Sequence, residues 1–218
     1  MQQILIIGLG QFGMSLARSL AGKGAEVIAI DRRRQLVEDI APHVAEALVA
    51  DATDEEVLVS LQPQRRDACV CAIGDDSKES SIICTALLRQ LGAQRIIARA
   101  GNSVHKRILS LVGAHQVINP EQEFGERFAN RLAYHQVISD MPLGDDLHLT
   151  EIKAPDSFLG KTLIDLALPK RYGIMVVAIR RGVPSRIIPP LATDPLQTGD
   201  TLVLVSPQSA IPKLLKGV

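Results

Sequence analysis

Charge of one sign is what this sequence most clearly lacks. Its 24 Lys and Arg are matched by 24 Asp and Glu, so there is no bulk electrostatic footprint for nucleic acid or a membrane surface. The balance is not a sum of opposed halves, because residues 1–138 carry 15 basic and 16 acidic side chains and residues 139–218 carry 9 and 8. No uninterrupted apolar run approaches the ~18–20 residues needed to span a bilayer, and Met1 leads directly into a strand-like run rather than a signal peptide. The three cysteines are odd in number and lack metal spacing, which suits a reducing cytoplasm. Cys69 and Cys71 sit two apart in an apolar run, on one face of an expected strand, and read as buried small hydrophobes rather than a redox pair. GxSxG, HExxH and CxxC are all missing. His43, His105, His115, His135 and His148 are scattered without ligand spacing.

What is present is a repeating β-α pattern. Residues 4–7, 27–30, 45–49, 68–73, 95–98 and 116–118 are apolar, strand-like runs. Between them, amphipathic stretches at about 11–22, 33–40, 54–61, 77–91 and 103–112 read as helices. Near-continuous apolar strands imply a parallel sheet covered on both faces, with right-handed crossovers. Thr53-x-x-Glu56 reads as a capping box and Asp76-x-x-Glu79 resembles one. Asn119-Pro120-Glu121 supplies a cap, a first-turn proline and an acid for a helix from about 121 to 138. Composition then shifts: residues 1–119 hold two of the twelve prolines and residues 120–218 hold ten. Residues 139–146 read as a linker. Strands near 147–152, 174–179 and 202–205, a short helix near 163–168 and another after Pro207 make a second, smaller α+β domain. The expected division is 1–119, a crossover helix and linker at 120–146, and 147–218.

Gly8-Leu9-Gly10-Gln11-Phe12-Gly13 follows the first strand and opens the first helix. Gly8 permits a tight turn, Gly10 lets the backbone approach a pyrophosphate, and Gly13 allows close helix–sheet packing. The helix N-terminus offers free N–H groups and partial positive charge to phosphates. Asp31 ends the second strand at the distance where a carboxylate accepts both adenosine ribose hydroxyls. That acid would repel the 2′-phosphate of NADP, although Arg32, Arg33 and Arg34 follow; Arg32 could equally stack on adenine or be a solvated helix start. Gly160-Lys161-Thr162 resembles the end of a P-loop, but residue 155 is Pro where the leading glycine belongs.

These stretches, continued by Ala50-Asp51-Ala52-Thr53, Ala72-Ile73-Gly74, Ala98-Arg99-Ala100 and Gly113-Ala114 with residues 117–121, come in a specific order and spacing. With the run at 196–205 they resemble, over essentially the whole chain, the TrkA/KtrA type of cytosolic potassium-uptake regulator, built from an RCK (regulator of conductance of potassium) domain. The resemblance implies a Rossmann-like doubly wound α/β domain, a crossover helix and a ligand-sensing C-terminal α+β domain. It implies that Gly8, Gly10, Gln11, Phe12, Gly13, Asp31 and Arg32 bind an adenine nucleotide, ATP/ADP or NAD(H). Asp51, Ala52 and Thr53 would border the adenine, although Asp51 also suits a turn and Thr53 a helix cap. Ile73 and Gly74 would line the ribose–phosphate cleft through backbone, and Arg99 would point at the phosphates or simply end a strand. Glu121 matches a carboxylate near a bound Mg or Ca ion, although a first-turn acid is favourable without one. Position 11 is Gln where ATP-responsive relatives often carry Arg, and losing that charge would weaken ATP-over-ADP preference roughly tenfold.

Phe124, Phe128 and Leu132, at i, i+4 and i+8, form a stripe that faces something apolar, either its own sheet or a partner subunit. The resemblance implies a helix-swapped homodimer that assembles into a ring, an octamer, peripheral to the inner face of the cell membrane beneath a TrkH/KtrB-type potassium-translocating subunit. A cyclic dinucleotide on the C-terminal domain is a further implied ligand, near Arg180, Arg181, Pro189 and Pro190, whose bland reading is solvated strand-end charge. No nucleic-acid partner and no catalysis are expected. The competing class, a small NAD-dependent oxidoreductase, would need a proton donor beside the nicotinamide and a substrate cleft, which the sequence does not supply.

Overall fold

The computed structural model describes residues 1–144, 146–182, 184 and 186–216. It divides into two compact units, Met1–Glu121 and Gln122–Val218. In the first unit the apolar runs become strands β1 (Gln3–Ile7), β2 (Glu26–Asp31), β3 (Glu46–Val49), β4 (Ala68–Cys71), β5 (Ile96–Arg99) and β6 (Gln116–Ile118). Helices α1 (Gln11–Gly22), α2 (Arg34–Ile40), α3 (Glu55–Ser60), α4 (Lys78–Gln90) and α5 (Ser103–Leu111) connect them, and α6 (Pro120–Ala133) follows. All six strands are parallel, in the order β3-β2-β1-β4-β5-β6. The strand order therefore reverses between β1 and β4, and the crevice beyond their C-terminal ends is where such Rossmann-like sheets bind ligands.

Side-chain alternation along the strands builds two layers. Leu5, Ile7, Ile28, Ile30, Cys69 and Cys71 face Leu58 of α3, Cys84 and Leu88 of α4 and Leu109 of α5. Ile4, Ile6, Val27, Ala29 and Val70 face Ala17 of α1 and Val37 and Ile40 of α2. Each fully buried Leu or Ile contributes ~1.5–3 kcal/mol relative to exposure, which is why strands covered on both sides carry so few polar residues. Cys69, Cys71 and Cys84 are unbridged and buried. Burial pushes the Cys69 thiol up to about 12, so it packs as a hydrophobe.

Two caps differ from expectation. The N-cap of α3 is Asp54, whose carboxylate accepts from the Glu56 N–H at 2.9 Å, so Thr53 is left outside the helix. Ser77, not Asp76, caps α4, and no side chain bonds there.

The second unit is an antiparallel sheet of β7 (Val137–Gly144), β8 (Leu147–Lys153), β9 (Met175–Arg181), β10 (Arg186–Ile188) and β11 (Thr201–Pro207), ordered β10-β9-β11-β8-β7. Its helices are α7 (Leu163–Leu166), α8 (Leu168–Tyr172) and α9 (Ala210–Lys216). The stretch expected as a linker is a strand through Gly144, followed by a turn at Asp146; Asp145 lies outside the described residues. The reason is local: β7 is an edge, where Pro142 is tolerated at a shift in register, and Val137 is buried opposite Ile152. That strand also ends α6 five residues before the expected position. The single helix expected near 163–168 is two, broken at Ala167 with φ +44°. Among the described residues no helix is long and apolar enough to cross a membrane.

Arg180 and Arg181 are not solvated strand-end charges. Arg180 donates to Glu151 at 2.9 Å, and Arg181 donates to Asp200 at 2.6 and 2.8 Å. Burial acts to raise the Asp200 carboxyl, but bonds from Arg181 and the Gln197 N–H, with the guanidinium charge, outweigh it and hold it below the ordinary value. A depressed carboxyl stabilises the fold above its unfolded value of about 3.9, and that stability is lost as pH falls through the folded value. Asp200→Asn should cost about 1.5–3 kcal/mol at neutral pH. Circular-dichroism melts should show that deficit shrinking below about pH 4, whereas a deficit independent of pH would contradict the assignment.

Candidate functional site

The elbow between β1 and α1 is held from two sides. Gly8 adopts φ +94° and its N–H donates to the Ile30 carbonyl at 2.8 Å. The next N–H, of Leu9, donates to Oδ2 of Asp31 at 2.7 Å. A side chain at Gly13 would meet the Gly8 carbonyl oxygen at 1.9 Å and the Ala72 Cβ at 3.3 Å, so only glycine lets α1 approach the sheet this closely. Gly10 is different: a Cβ there meets nothing within 4 Å. It is the N-cap of α1 and offers no side-chain cap, which leaves first-turn N–H groups without intrahelical partners at a positive helix end.

That open space belongs to a cavity of about 430 Å³ at the C-terminal ends of β1, β2, β4 and β5, within the range of small-molecule sites. Gly8, Gly10, Gln11, Phe12, Asp31, Arg32, Asp51, Ala52, Thr53, Ile73, Gly74, Arg99 and Glu121 all line it. Gly13 alone of the residues singled out does not, because it lies behind the elbow against Gly8.

Asp31 is buried, and its environment is richer than the sequence suggested. Arg33 folds back on it, donating from its backbone N–H at 2.8 Å, from Nε at 3.2 Å and from Nη2 at 3.3 Å. Burial acts to raise this carboxyl, but the Arg33 side chain and the Leu9 and Arg33 N–H groups hold it below its usual range. It is therefore an anion ready to accept hydroxyl donors. The Arg33 side chain is 60% exposed, and an exposed pair of this kind contributes only ~0–1 kcal/mol, so a ribose diol can displace it. Asp51 accepts from the Thr53 N–H at 2.9 Å and the Thr53 hydroxyl at 2.7 Å, bonds that lower its carboxyl. Thr53 thus belongs to the Asp51 turn and not to the helix cap.

Arg99, mostly buried against Gly74, donates to Glu121 at 2.5 Å. The Glu121 carboxylate is thereby paired with a guanidinium, and among the described residues no group of three or more His, Cys, Asp or Glu could hold a metal ion. The donor set does not fit a protein-bound Mg or Ca site. Adenosine and phosphate do fit, given the open Gly10, the helix end, Asp31 and a guanidinium. The sequence reading missed Ser77 and Ser80, which line the same cavity from the start of α4. Their signal was Gly74 at the end of β4, which repeats the strand–glycine–helix arrangement of the elbow.

The TrkA-N domain matches residues 4–120 and the TrkA-C domain residues 147–216. The chain belongs to the TrkA/KtrA family. It is 34% identical over 217 residues to Ktr system potassium uptake protein C of Bacillus subtilis, covering 100% of this chain and 97% of that protein. Ktr system potassium uptake protein A of Vibrio alginolyticus is also 34% identical over 217 residues, with 100% and 98% covered. The GsuK RCK domain has a similar fold, with TM-score 0.64 at 21% identity over 99% of this chain and 47% of that one. So does the NAD(P)-binding domain of an exopolyphosphatase-related protein from Archaeoglobus fulgidus, with TM-score 0.54 at 24% identity over 61% of this chain and 98% of that one.

The two helix-side glycines of this TrkA-type elbow separate packing from access. Gly13→Ala should destabilise by about 3 kcal/mol or more through backbone overlap. Gly10→Ala should cost no more than about 1 kcal/mol, the scale of a poorer cap. Denaturant titration checks both, and equal losses would mean that Gly10 also packs against the protein.

Proposed function

We propose that this chain is the nucleotide-binding regulatory subunit of a potassium uptake system, acting at the inner face of the membrane on a separate TrkH/KtrB-type translocating subunit. The observation that carries the reading is the open face of Gly10 beside the buried, ionised Asp31, in a chain related along its full length to Ktr proteins. In this reading Asp31 takes the adenosine ribose hydroxyls after Arg33 swings out to solvent. The α1 N-terminus and Arg99 take phosphate oxygens, with the Ser77 and Ser80 hydroxyls on the opposite wall. Gln11 supplies a neutral amide where a cation would discriminate a third phosphate, so ADP, ATP and NAD(H) share the pocket with little preference.

Regulation requires that the nucleotide bind two shapes of the assembly with different affinity; equal affinity would shift nothing. Helix α6 supports an oligomer. None of its residues is buried, Phe124, Phe128 and Leu132 are exposed at 62%, 44% and 64%, and the two Phe rings stack at 5.9 Å. An apolar stripe this exposed favours a second copy as its cover over the chain's own sheet. We infer a dimer through α6, closed by symmetry into a ring whose dimensions respond to the nucleotide.

Equilibrium binding of ADP, ATP and NADH to the full chain tests the site. Asp31→Asn keeps an acceptor for Leu9 yet should weaken each nucleotide about tenfold, the loss of one charge-assisted bond. Gly10→Ala should weaken them at least as much, because its methyl occupies the phosphate approach. Binding unchanged in both variants would refute the site, and steady oxidation of NADH by small carbonyl compounds would refute the regulatory reading.

A further inference from the structure

A second cavity, of about 330 Å³, lies wholly within the C-terminal unit. Asn130 and Tyr134 at the end of α6, Asp140 of β7, His148 of β8 and the segment entering α9 enclose it. Its organising group is Asp140, whose side chain is 7% exposed. Oδ1 accepts from the Thr150 hydroxyl at 3.1 Å and meets His148 Nδ1 at 3.0 Å; Oδ2 accepts from Asn130 Nδ2 at 3.0 Å. A carboxylate offers about four lone-pair sites, so one on Oδ2 is left over. Asp146 also lines the cavity, and no Lys or Arg does among the described residues.

We propose that this cavity binds a small organic cation, a short-chain amine or guanidine, with its charged N–H groups on Asp140 and Asp146. Three points of chemistry select that class. A buried carboxylate without a Lys or Arg partner gains most from a ligand that brings positive charge. Asp140 is held by neutral amide and hydroxyl donors and one imidazole, so its geometry is set before the ligand arrives and little ordering is needed on binding. Bare inorganic cations fare worse, because among the described residues no three His, Cys, Asp or Glu side chains, Asp140, Asp146 and His148 included, are arranged to hold a metal ion. An ammonium or guanidinium instead needs only acceptors and an apolar wall, which Val137, Ile211 and the Tyr134 ring supply. The site shares no residue with the glycine-elbow cavity.

Isothermal titration of the full chain with agmatine and with putrescine, at fixed ionic strength, is the test. Saturable binding of one probe per chain is expected, weakened about tenfold in Asp140→Asn and about threefold in Asp146→Asn. Asp146 is exposed, so its substitution leaves the fold intact and remains decisive if Asp140→Asn does not fold. Glu38→Gln, a remote exposed acid of α2, should bind as wild type. The proposal is overturned if neither probe binds, if Asp146→Asn binds as tightly as wild type, if Glu38→Gln is weakened equally, or if calcium or potassium chloride binds this site and the amines do not.

Discussion

The hydrogen bond from the Leu9 N–H to Asp31, 2.7 Å long and buried, joins the ends of two adjacent strands and fixes everything built around them. It ties the glycine elbow after β1 to the acid that ends β2, so the helix end and that carboxylate keep one mutual position. The close approach of Gly13 to the Gly8 carbonyl locks the same elbow from behind. The carboxylate takes one backbone N–H on each oxygen, Leu9 on Oδ2 and Arg33 on Oδ1, and its remaining lone pairs hold the exposed Arg33 side chain at the edge of the cleft. Burial would make such an anion costly, but hydrogen bonds from two backbone N–H groups and a guanidinium compensate.

The neutral composition acquires a meaning in the folded chain. Arg33, Arg99, Arg180 and Arg181 each sit on an acid of the same unit: Asp31, Glu121, Glu151 and Asp200. Around the first cavity two of these pairs are exchangeable, because Arg33 and Glu121 are each about 60% exposed. In the proposed binding mode neutral ribose hydroxyls would replace Arg33 on Asp31 and phosphate would replace Glu121 on Arg99, and the displaced Arg33 and Glu121 are exposed enough to be solvated. The second pair lies at the first turn of α6, the helix whose apolar stripe is uncovered.

Much of this was legible in the sequence because it follows from periodicity and steric necessity. Alternating apolar runs specified the parallel strands and the two-layer core, and the spacing of Gly8, Gly10 and Gly13 before Asp31 marked the elbow. What stayed hidden depends on which neighbour a polar side chain chooses. Thr53 could cap a helix or bond Asp51, and the chain settled on Asp51, with Asp54 as the cap. Arg33 carried no mark of folding back two residues. The stretch containing Pro142 and Gly144 reads as a linker by composition, and only the edge position of β7 makes it a strand. The Asp140 cluster draws on α6, β7 and β8, and its members follow no short motif.

The claim on which the account rests is that an adenosine moiety lodges between the glycine elbow and Asp31. Native mass spectrometry of the full chain, with ADP, ATP or NADH supplied in turn, tests it most directly. The account predicts one adenine nucleotide retained per chain in an assembly larger than a monomer, with the adduct lost in Asp31→Asn. A bare monomer in the presence of all three nucleotides would contradict it.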